Sequence, residues 1–427
     1  MCTKTIGDHR ALMDIKGILK RSHPIKGFIY EKSWFGSGQS IAVKLRPRRG
    51  TMAICLGCGR RGKTYDTARS PRTFGFIPFW GFAVVFLYCM RRVDCRRCGV
   101  TTEMVPWADG KQQSCYAYRQ FLAFWAKRLS WTEVGRAFNI SWGVVFRSVK
   151  WVVDWGLAHR DLNGIESIGI DEIAVWKGHK YLTIVYQIDA GVRRLLWVGR
   201  DRTEQTLTDF FTMFGPSRSA SLRYVASDMW KPYLRVIGRF ASAAVHVLDR
   251  FHIVAKLNKA IDEIRAGEAR KLAAQGYTIL KNARWCFLKK PKNLTPTQKT
   301  KLKDVLRFNL VTVRAYNLAQ AFGALWAFHS PTWAGWFIDG WTAYVMRSRI
   351  PQLKKFARTL RNHKPLILNW FRAKGLVSSA VVEALNSNAK LAIRKARGFR
   401  TFEALETSLF HRLGQLPEPM FFIHRFW

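Results

Sequence analysis

From residue 165 the chain changes period from helix to sheet. Apolar runs at 165–176, 180–188 and 193–199 are short and rich in β-branched and aromatic residues. The turn-forming stretches KGHK and DAGVRR separate them, so three meandering strands are expected. Next, TEQTLTDFFTMF reads as a helix opened by Thr203, SLRYVAS as a fourth strand, MWKPYLRVIGRF as a helix and SAAVHVL as a fifth strand. Three meandering strands followed by alternating helix and strand match a known α/β layout in which the first strand is central, the fourth lies beside it and the fifth outside the fourth.

That layout is ribonuclease H-like, and it sorts the acids. The chain has 71 Lys+Arg against 28 Asp+Glu, a formal net charge of +43, so a carboxylate inside an apolar strand is not incidental. Asp171 sits within the first strand, in SIGIDEIAVW, and Asp228 ends the fourth, in VASDMW. Neighbouring strands would bring these two within about 5 Å. Asp249 ends the fifth strand, in VLDRFHI, and is expected to support or cap rather than to act directly. Asp189 precedes Ala190-Gly191 in a hairpin turn, where an Asp bonds locally. A phosphoryl-transfer site of this kind needs another carboxylate. The segment at 378–400 reads as a helix begun by Ser378 or Ser379, with Glu383, Asn386, Lys390 and Arg394 on one face. Taken alone, that face could equally be a solvated helix surface.

The charge, with 14% aromatic residues, suits a polyanion held by phosphates and stacked bases, the membrane surface being the other charge-based reading. The first thirty residues lack the apolar core of a signal peptide. The uncharged run 73–90 is barely long enough to span a bilayer, and Gly75, Pro78 and Gly81 favour a pair of strands instead. Cys55-x2-Cys58 and Cys95-x2-Cys98 flank it. If the run folds back as a hairpin, the four thiols can meet around a tetrahedral Zn2+; otherwise they are buried or redox-active thiols. Cys89 is a nearby competitor, while Cys2, Cys115 and Cys286 have no metal spacing.

Between these regions, LSWTEVGRAFNISWGVVFRSVKWVV reads as a helix-turn-helix. Trp131-Thr132 would cap the first helix, Asn139 the turn and Ser141 the second helix, with Val145, Val149 and Val152 inward and Arg147 and Lys150 on the exposed face toward DNA. Residues between Asp249 and Glu383 are mostly helical in pattern. LKKPKNLTPTQKTKLK is expected to be a loop with a helix start, and the tryptophans of ALWAFHSPTWAGWFIDGW to be helical core or DNA-stacking platforms.

Together GIDEIAVWKGHKYLTIVYQID, SDMWKPYLRVIG, VLDRFHIVAKLNKAIDEIR and VVEALNSNAKLAIRKARGFRTFEAL resemble a bacterial insertion-sequence transposase of the DDE type, in the ISL-three family, from about residue 40 to about residue 410. The resemblance implies that Asp171, Asp228 and Glu383 form a catalytic triad holding two Mg2+, or Mn2+, for cleavage and strand transfer. Asn386 and Asp249 are expected to support them and Lys390 and Arg394 to touch DNA, and the helical insertion, as in related transposases, to shield the site and touch the DNA ends. Two positions depart from the family pattern: Ala384 stands where Gly is expected, and the first knuckle, CLGC, lacks a proline.

The expected organisation is therefore a β-rich four-Cys segment at 1–110, a helix-turn-helix at 111–160, and a catalytic domain at 161–255 and 376–427 split by a helical insertion at 256–375. The expected partners are double-stranded DNA at the element ends and target, and further copies of the chain in a dimer or larger synaptic complex. The expected location is the bacterial cytoplasm, on the nucleoid. A non-catalytic DNA-binding protein built from the same zinc and helix-turn-helix parts, and a nuclease of the same fold without strand transfer, are the competing readings.

Overall fold

The computed structural model describes residues 15–176, 180–373, 379–396 and 398–420. It is a mixed α/β chain of two compact units, one comprising the described residues up to Arg160 together with those from Lys395 onward, the other Asp161–Arg394. The KGHK turn and the start of the helix at 378 fall largely outside the described residues.

In the first unit, α1 (Ile15–Ser22) precedes two four-stranded sheets. One runs β1-β2-β6-β5, from Phe28–Phe35, Ser40–Pro47, Phe82–Tyr88 and Arg72–Phe79. The other runs β3-β4-β7-β8, from Ala53–Ile54, Arg61–Thr67, Arg91–Cys95 and Gly99–Thr102. The uncharged run 73–90 is thus a hairpin. Phe79 pairs with Phe82 across a two-residue turn in which both Trp80 (φ 46°) and Gly81 (φ 81°) are left-handed, the conformation whose twist matches paired strands. Alternation along β5 and β6 buries Phe74, Phe76, Val84 and Phe86 on one face. No helix among the described residues is long and apolar enough to cross a membrane.

Three helices follow: α2 (Tyr116–Ala126), α3 (Trp131–Ala137) and α4 (Trp142–His159). The cap of α3 lies one residue earlier than Trp131. Ser130 Oγ accepts from the Glu133 backbone N–H at 3.2 Å, and the Glu133 carboxylate accepts from the Ser130 N–H at 2.7 Å, a reciprocal capping box that an S-x-x-E reading would have found. Asn139 takes φ 50° in the turn, and Val145, Val149 and Val152 are buried. A Cβ at Gly135 would stand 2.9 Å from the Ile140 carbonyl oxygen, so only glycine lets the turn pass so close to α3.

The second unit contains a five-stranded sheet, order β11-β10-β9-β12-β13. Its strands are β9 (Ser167–Trp176), β10 (Lys180–Asp189), β11 (Val192–Arg200), β12 (Tyr224–Ser227) and β13 (Val245–Leu248). The first three are antiparallel neighbours; β12 pairs parallel with β9 and with β13. The first strand is central, the fourth beside it and the fifth outside, the order expected of the layout that the element pattern matches. Helices α5 (Glu204–Phe214, capped by Thr203) and α7 (Lys231–Phe240) supply Leu207, Phe210, Phe211, Phe214, Tyr233 and Val236 to one core against the sheet, with the short α6 (Pro216–Ala220) following α5. Each fully buried side chain of that size is worth about 1.5–3 kcal/mol of transfer free energy.

The chain then turns helical through α8 (Arg250–Ala274), α9 (Arg284–Leu288), α10 (Pro296–Val305), α11 (Val311–Gly323), α12 (Pro331–Arg347) and α13 (Pro351–Arg372), which share a second core. The Lys-rich segment holds a 3-10 turn at Pro291–Asn293 and the start of α10, capped reciprocally by Thr295 and Gln298. The tryptophans divide: Trp341 is buried, whereas Trp333 and Trp336 are 59% and 60% exposed. Finally α14 (Ser379–Lys395) returns to the sheet, and α15 (Phe402–Leu413) belongs to the first unit. A Cβ at Gly169 would come within 2.4 Å of Val382 Cγ2, so glycine on the central strand is what admits α14.

Candidate active site and metal centre

In the first unit the metal-ligating pattern is assembled by two tight turns. Each Cys pair is followed at once by a glycine, Gly59 (φ 69°) or Gly99 (φ 71°), in the left-handed conformation that L side chains resist. The Gly59 N–H donates to the Cys55 carbonyl at 2.9 Å. The Sγ atoms of Cys55, Cys58, Cys95 and Cys98 all lie within 4.8 Å of one another, with Cys58 and Cys95 at 3.5 Å. A tetrahedral ion bonded to sulfur at about 2.3 Å needs sulfurs a little under 4 Å apart, so the four thiols fit Zn2+. Backbone N–H groups of Arg97 and Cys98 lower the Cys95 thiol to about 6, favouring the thiolate a metal requires. Cys89 is outside the group.

The acids of the second unit gather at one end of the sheet. Asp171, on β9, is largely buried, and burial raises its carboxyl above the usual range while the Glu172 N–H, accepted at 2.8 Å, and His252 oppose that. Asn386 of α14 donates to Asp171 Oδ2 at 2.5 Å and accepts from the Tyr186 hydroxyl at 3.0 Å, a buried chain that fixes the carboxylate. Asp228 follows β12; it accepts from the Trp230 N–H at 2.9 Å and from the Arg202 guanidinium at 3.1 Å. The same guanidinium pairs with Glu172 and lies 4.5 Å over the Trp230 ring. Burial, helped by the charges of Asp228 and Asp171, raises Glu172 to about 7 despite Arg202.

Asp249 caps α8, accepting from the Phe251 N–H at 2.7 Å. Counting strands alone puts it beyond Asp171's reach. The structure bridges the two: His252 Nε2, one turn into α8, stands 3.9 Å from Asp171 and 3.7 Å from Asp249. Asp249 also raises Asp171 more than Asp228 does, although β12, not β13, neighbours β9. Glu383 is exposed and lines a cavity with Arg250 and Phe251 rather than pairing with Asp171; on α14 it is Asn386, three residues on, that makes that contact. Lys390 and Arg394 are exposed. In the first unit Arg147 is exposed, while Lys150 is engaged by Asp154 at 3.0 Å and Glu403 at 3.3 Å.

Sequence reasoning missed Glu172, Arg202 and His252. Only the DE pair at 171–172 and the i, i+3 spacing of Asp249 and His252 hinted at them. Among the described residues only the cysteines bring three or more acidic, thiol or imidazole groups within 4.8 Å of one another. The carboxylates are more widely spread, with Arg202 and His252 between them. As hard oxygen donors they have the chemistry that Mg2+ selects.

Acids on adjacent strands beside a returning helix form the candidate site, and comparison with known proteins assigns the class of the chain. The sequence profile of the ISL-three transposase family matches residues 168–409, more than half of the chain. A transposase for insertion sequence element IS1001 of Bordetella parapertussis is 29% identical over 372 residues, covering 86% of this chain and 90% of the relative. A transposase for IS1557 of Mycobacterium tuberculosis is 29% identical over 423 residues, covering 93% of each. The chain belongs to the ISL-three family of insertion-sequence transposases.

Proposed function

We propose that this transposase binds the terminal inverted repeats of its insertion sequence and, with Mg2+ or Mn2+, cleaves the element ends and joins them to target DNA. The observation that carries the reading is Asp171 on the central strand, clamped by Asn386 from α14 and neighboured by Asp228 at the end of β12, in a chain of this family. In this reading the second unit, Asp161–Arg394, is a ribonuclease H-like domain split by the helical insertion at 256–375; of the stretch 376–427 expected to close it, only the part up to Arg394 lies in that unit, and the described residues from Lys395 onward belong to the first. Asp171, Asp228 and Glu383 would hold the divalent ions, which when bound supply positive charge at the scissile phosphate. Asn386 and Tyr186 keep Asp171 oriented, and Asp249 with His252 steadies the edge of the site. Arg202, already against Asp228, is placed to balance the acids until the ions arrive.

The first unit reads the DNA. Zn2+ on the four cysteines fixes the sheet at 1–110, and the α3-turn-α4 pair within 111–160 sets α4 in a major groove, with Arg147 leading and Lys150 shared with its acidic neighbours. Lys390 and Arg394 add backbone contacts. Pairing of two ends calls for a dimer or larger complex, working on the bacterial nucleoid. The test is to incubate the protein and Mg2+ with the DNA flanking its own gene and map the ends. Cuts at the element boundary, followed by joined products, are expected. Cuts without joined products would reduce the activity to that of a nuclease, and uncut DNA would refute it.

A further inference from the structure

Beside Asp171, the helical part of the second unit encloses a cavity of about 690 Å³ between α8, α9, α11, α13 and α14. The first turn of α8 is divided between two tasks: Asp249 and His252 face Asp171, while Arg250 and Phe251 line the cavity. Its aromatic lining includes Trp326 and Trp370, and the Arg250 guanidinium stands 5.9 Å and 5.7 Å over their rings. Phe251 is 56% exposed on a helix whose other large apolar residues are buried or half-buried, so it is available to a ligand. The Trp326 indole N–H is buried and has no hydrogen-bond partner among the described residues, a cost that a ligand acceptor would remove. Two neutral amides, Asn258 and Gln320, share the lining, each offering a donor and an acceptor. Lys289, Lys290 and Glu383 complete it.

This combination discriminates between ligands. Flat aromatic faces favour a planar ring, amides complement the mixed donors and acceptors of a base edge, and the lysines suit the attached backbone phosphate. An anion alone would have no use for the rings, and an apolar side chain none for the amides. We propose that the cavity receives one unstacked nucleobase of the DNA strand being cut, so that Glu383 in its wall meets the neighbouring phosphate. The proposal rests on the DNA-cleaving reading above and adds a residue-level site to it. Extrusion of a base costs a few kcal/mol, and stacking on aromatic side chains returns about 1–3 kcal/mol per base together with the amide bonds.

The test is a scan of element-end duplexes, each with a single abasic position near the cut, bound to wild-type protein, Trp370→Ala, Trp370→Phe and Gln320→Ala. At one position, loss of the base is expected to weaken wild-type binding about tenfold. Trp370→Ala, and to a lesser degree the exposed-surface variant Gln320→Ala, should show little further loss at that position, while Trp370→Phe, which keeps a ring, should behave nearly as wild type. Because Gln320 is exposed, its variant keeps the test decisive if Trp370→Ala fails to fold. Abasic penalties that are identical in wild type and both alanine variants, with cleavage intact, would overturn the pocket alone. A wild-type protein with no preference for its element end would overturn the DNA-cleaving reading, and the pocket with it.

Discussion

The two candidate metal sites are built by opposite strategies. The four thiols come from two short turns of one small sheet, and they stand at ligand distance because the turns leave them nowhere else to go. The acids come from a central strand, the end of its neighbour, a helix cap and a returning helix, and they stand apart, interleaved with Arg202 and His252. Softness and charge account for the difference. Thiols can gather as neutral groups before a metal arrives, whereas carboxylates at one site repel unless a cation intervenes. A centre that fixes a fold can afford to be closed; one that must admit a phosphate has to be open and electrostatically balanced.

The largest effect expected breaks the closed side. Cys95→Ser, or prolonged chelation, should remove about one zinc per chain, measured by elemental analysis, and unfold the sheet around it, since such sites bind with about 10–16 kcal/mol. Asp171→Asn should leave the zinc content untouched; parallel loss of zinc would erase the distinction between the centres.

Next in size, Asp171→Asn, Asp228→Asn and Glu383→Gln should each lower end cleavage on the order of 10³-fold or more with DNA binding preserved, as gel assays can separate. Asp249→Asn should cost only about tenfold. An inactive Asp249→Asn beside a cutting Asp228→Asn would exchange their roles, an outcome the bridging position of His252 makes worth measuring.

Asn386→Ala should reduce cleavage about 10- to 100-fold without altering end affinity, because it frees Asp171 and strands the Tyr186 hydroxyl. Equal rates in the two proteins would mean that the clamp is dispensable.

The smallest effect concerns Glu172, whose carboxyl is raised to about 7 by burial. A raised acid binds more protons in the folded state, so its contribution is fully present below about pH 4.5 and is lost as pH rises toward 7. Without divalent metal, wild-type stability should therefore fall over that window, and Glu172→Gln should flatten the fall by a few degrees in Tm. Parallel thermal profiles for the two proteins would contradict the assignment.

What the sequence disclosed follows from what periodicity records. Strand order around Asp171, the hairpin at 73–90 and the meeting of the four thiols were legible because alternation, turn residues and Cys spacing are local signals. The cap of α3 was misplaced by one residue because Trp131-Thr132 drew attention from the Ser130–Glu133 pair. Arg202, His252 and the direct Asn386 contact were not legible, since side-chain direction at a strand end is set by packing from distant elements. Gly169 is the clearest case: in the sequence it is one more small residue, and only the 2.4 Å clash with Val382 shows it seating α14. The separate environments of Trp333, Trp336 and Trp341, on one helix, likewise needed the neighbouring helices to be in place.

Residues after Lys395 complete the first unit: α15 packs on α4, a Cβ at Gly156 would touch Leu416 Cβ at 2.7 Å, and Arg412 donates to the Ala126 and Leu129 carbonyls. In a cell this is a matter of timing. Half of a ribosome's work on this chain separates α4 from the segment that covers it, so a nascent or prematurely stopped chain carries α4 with its back uncovered. On the proposed function, such fragments would be poorly suited to occupying element ends as competitors, and the chain would become competent to bind only once its proposed catalytic residues had been made.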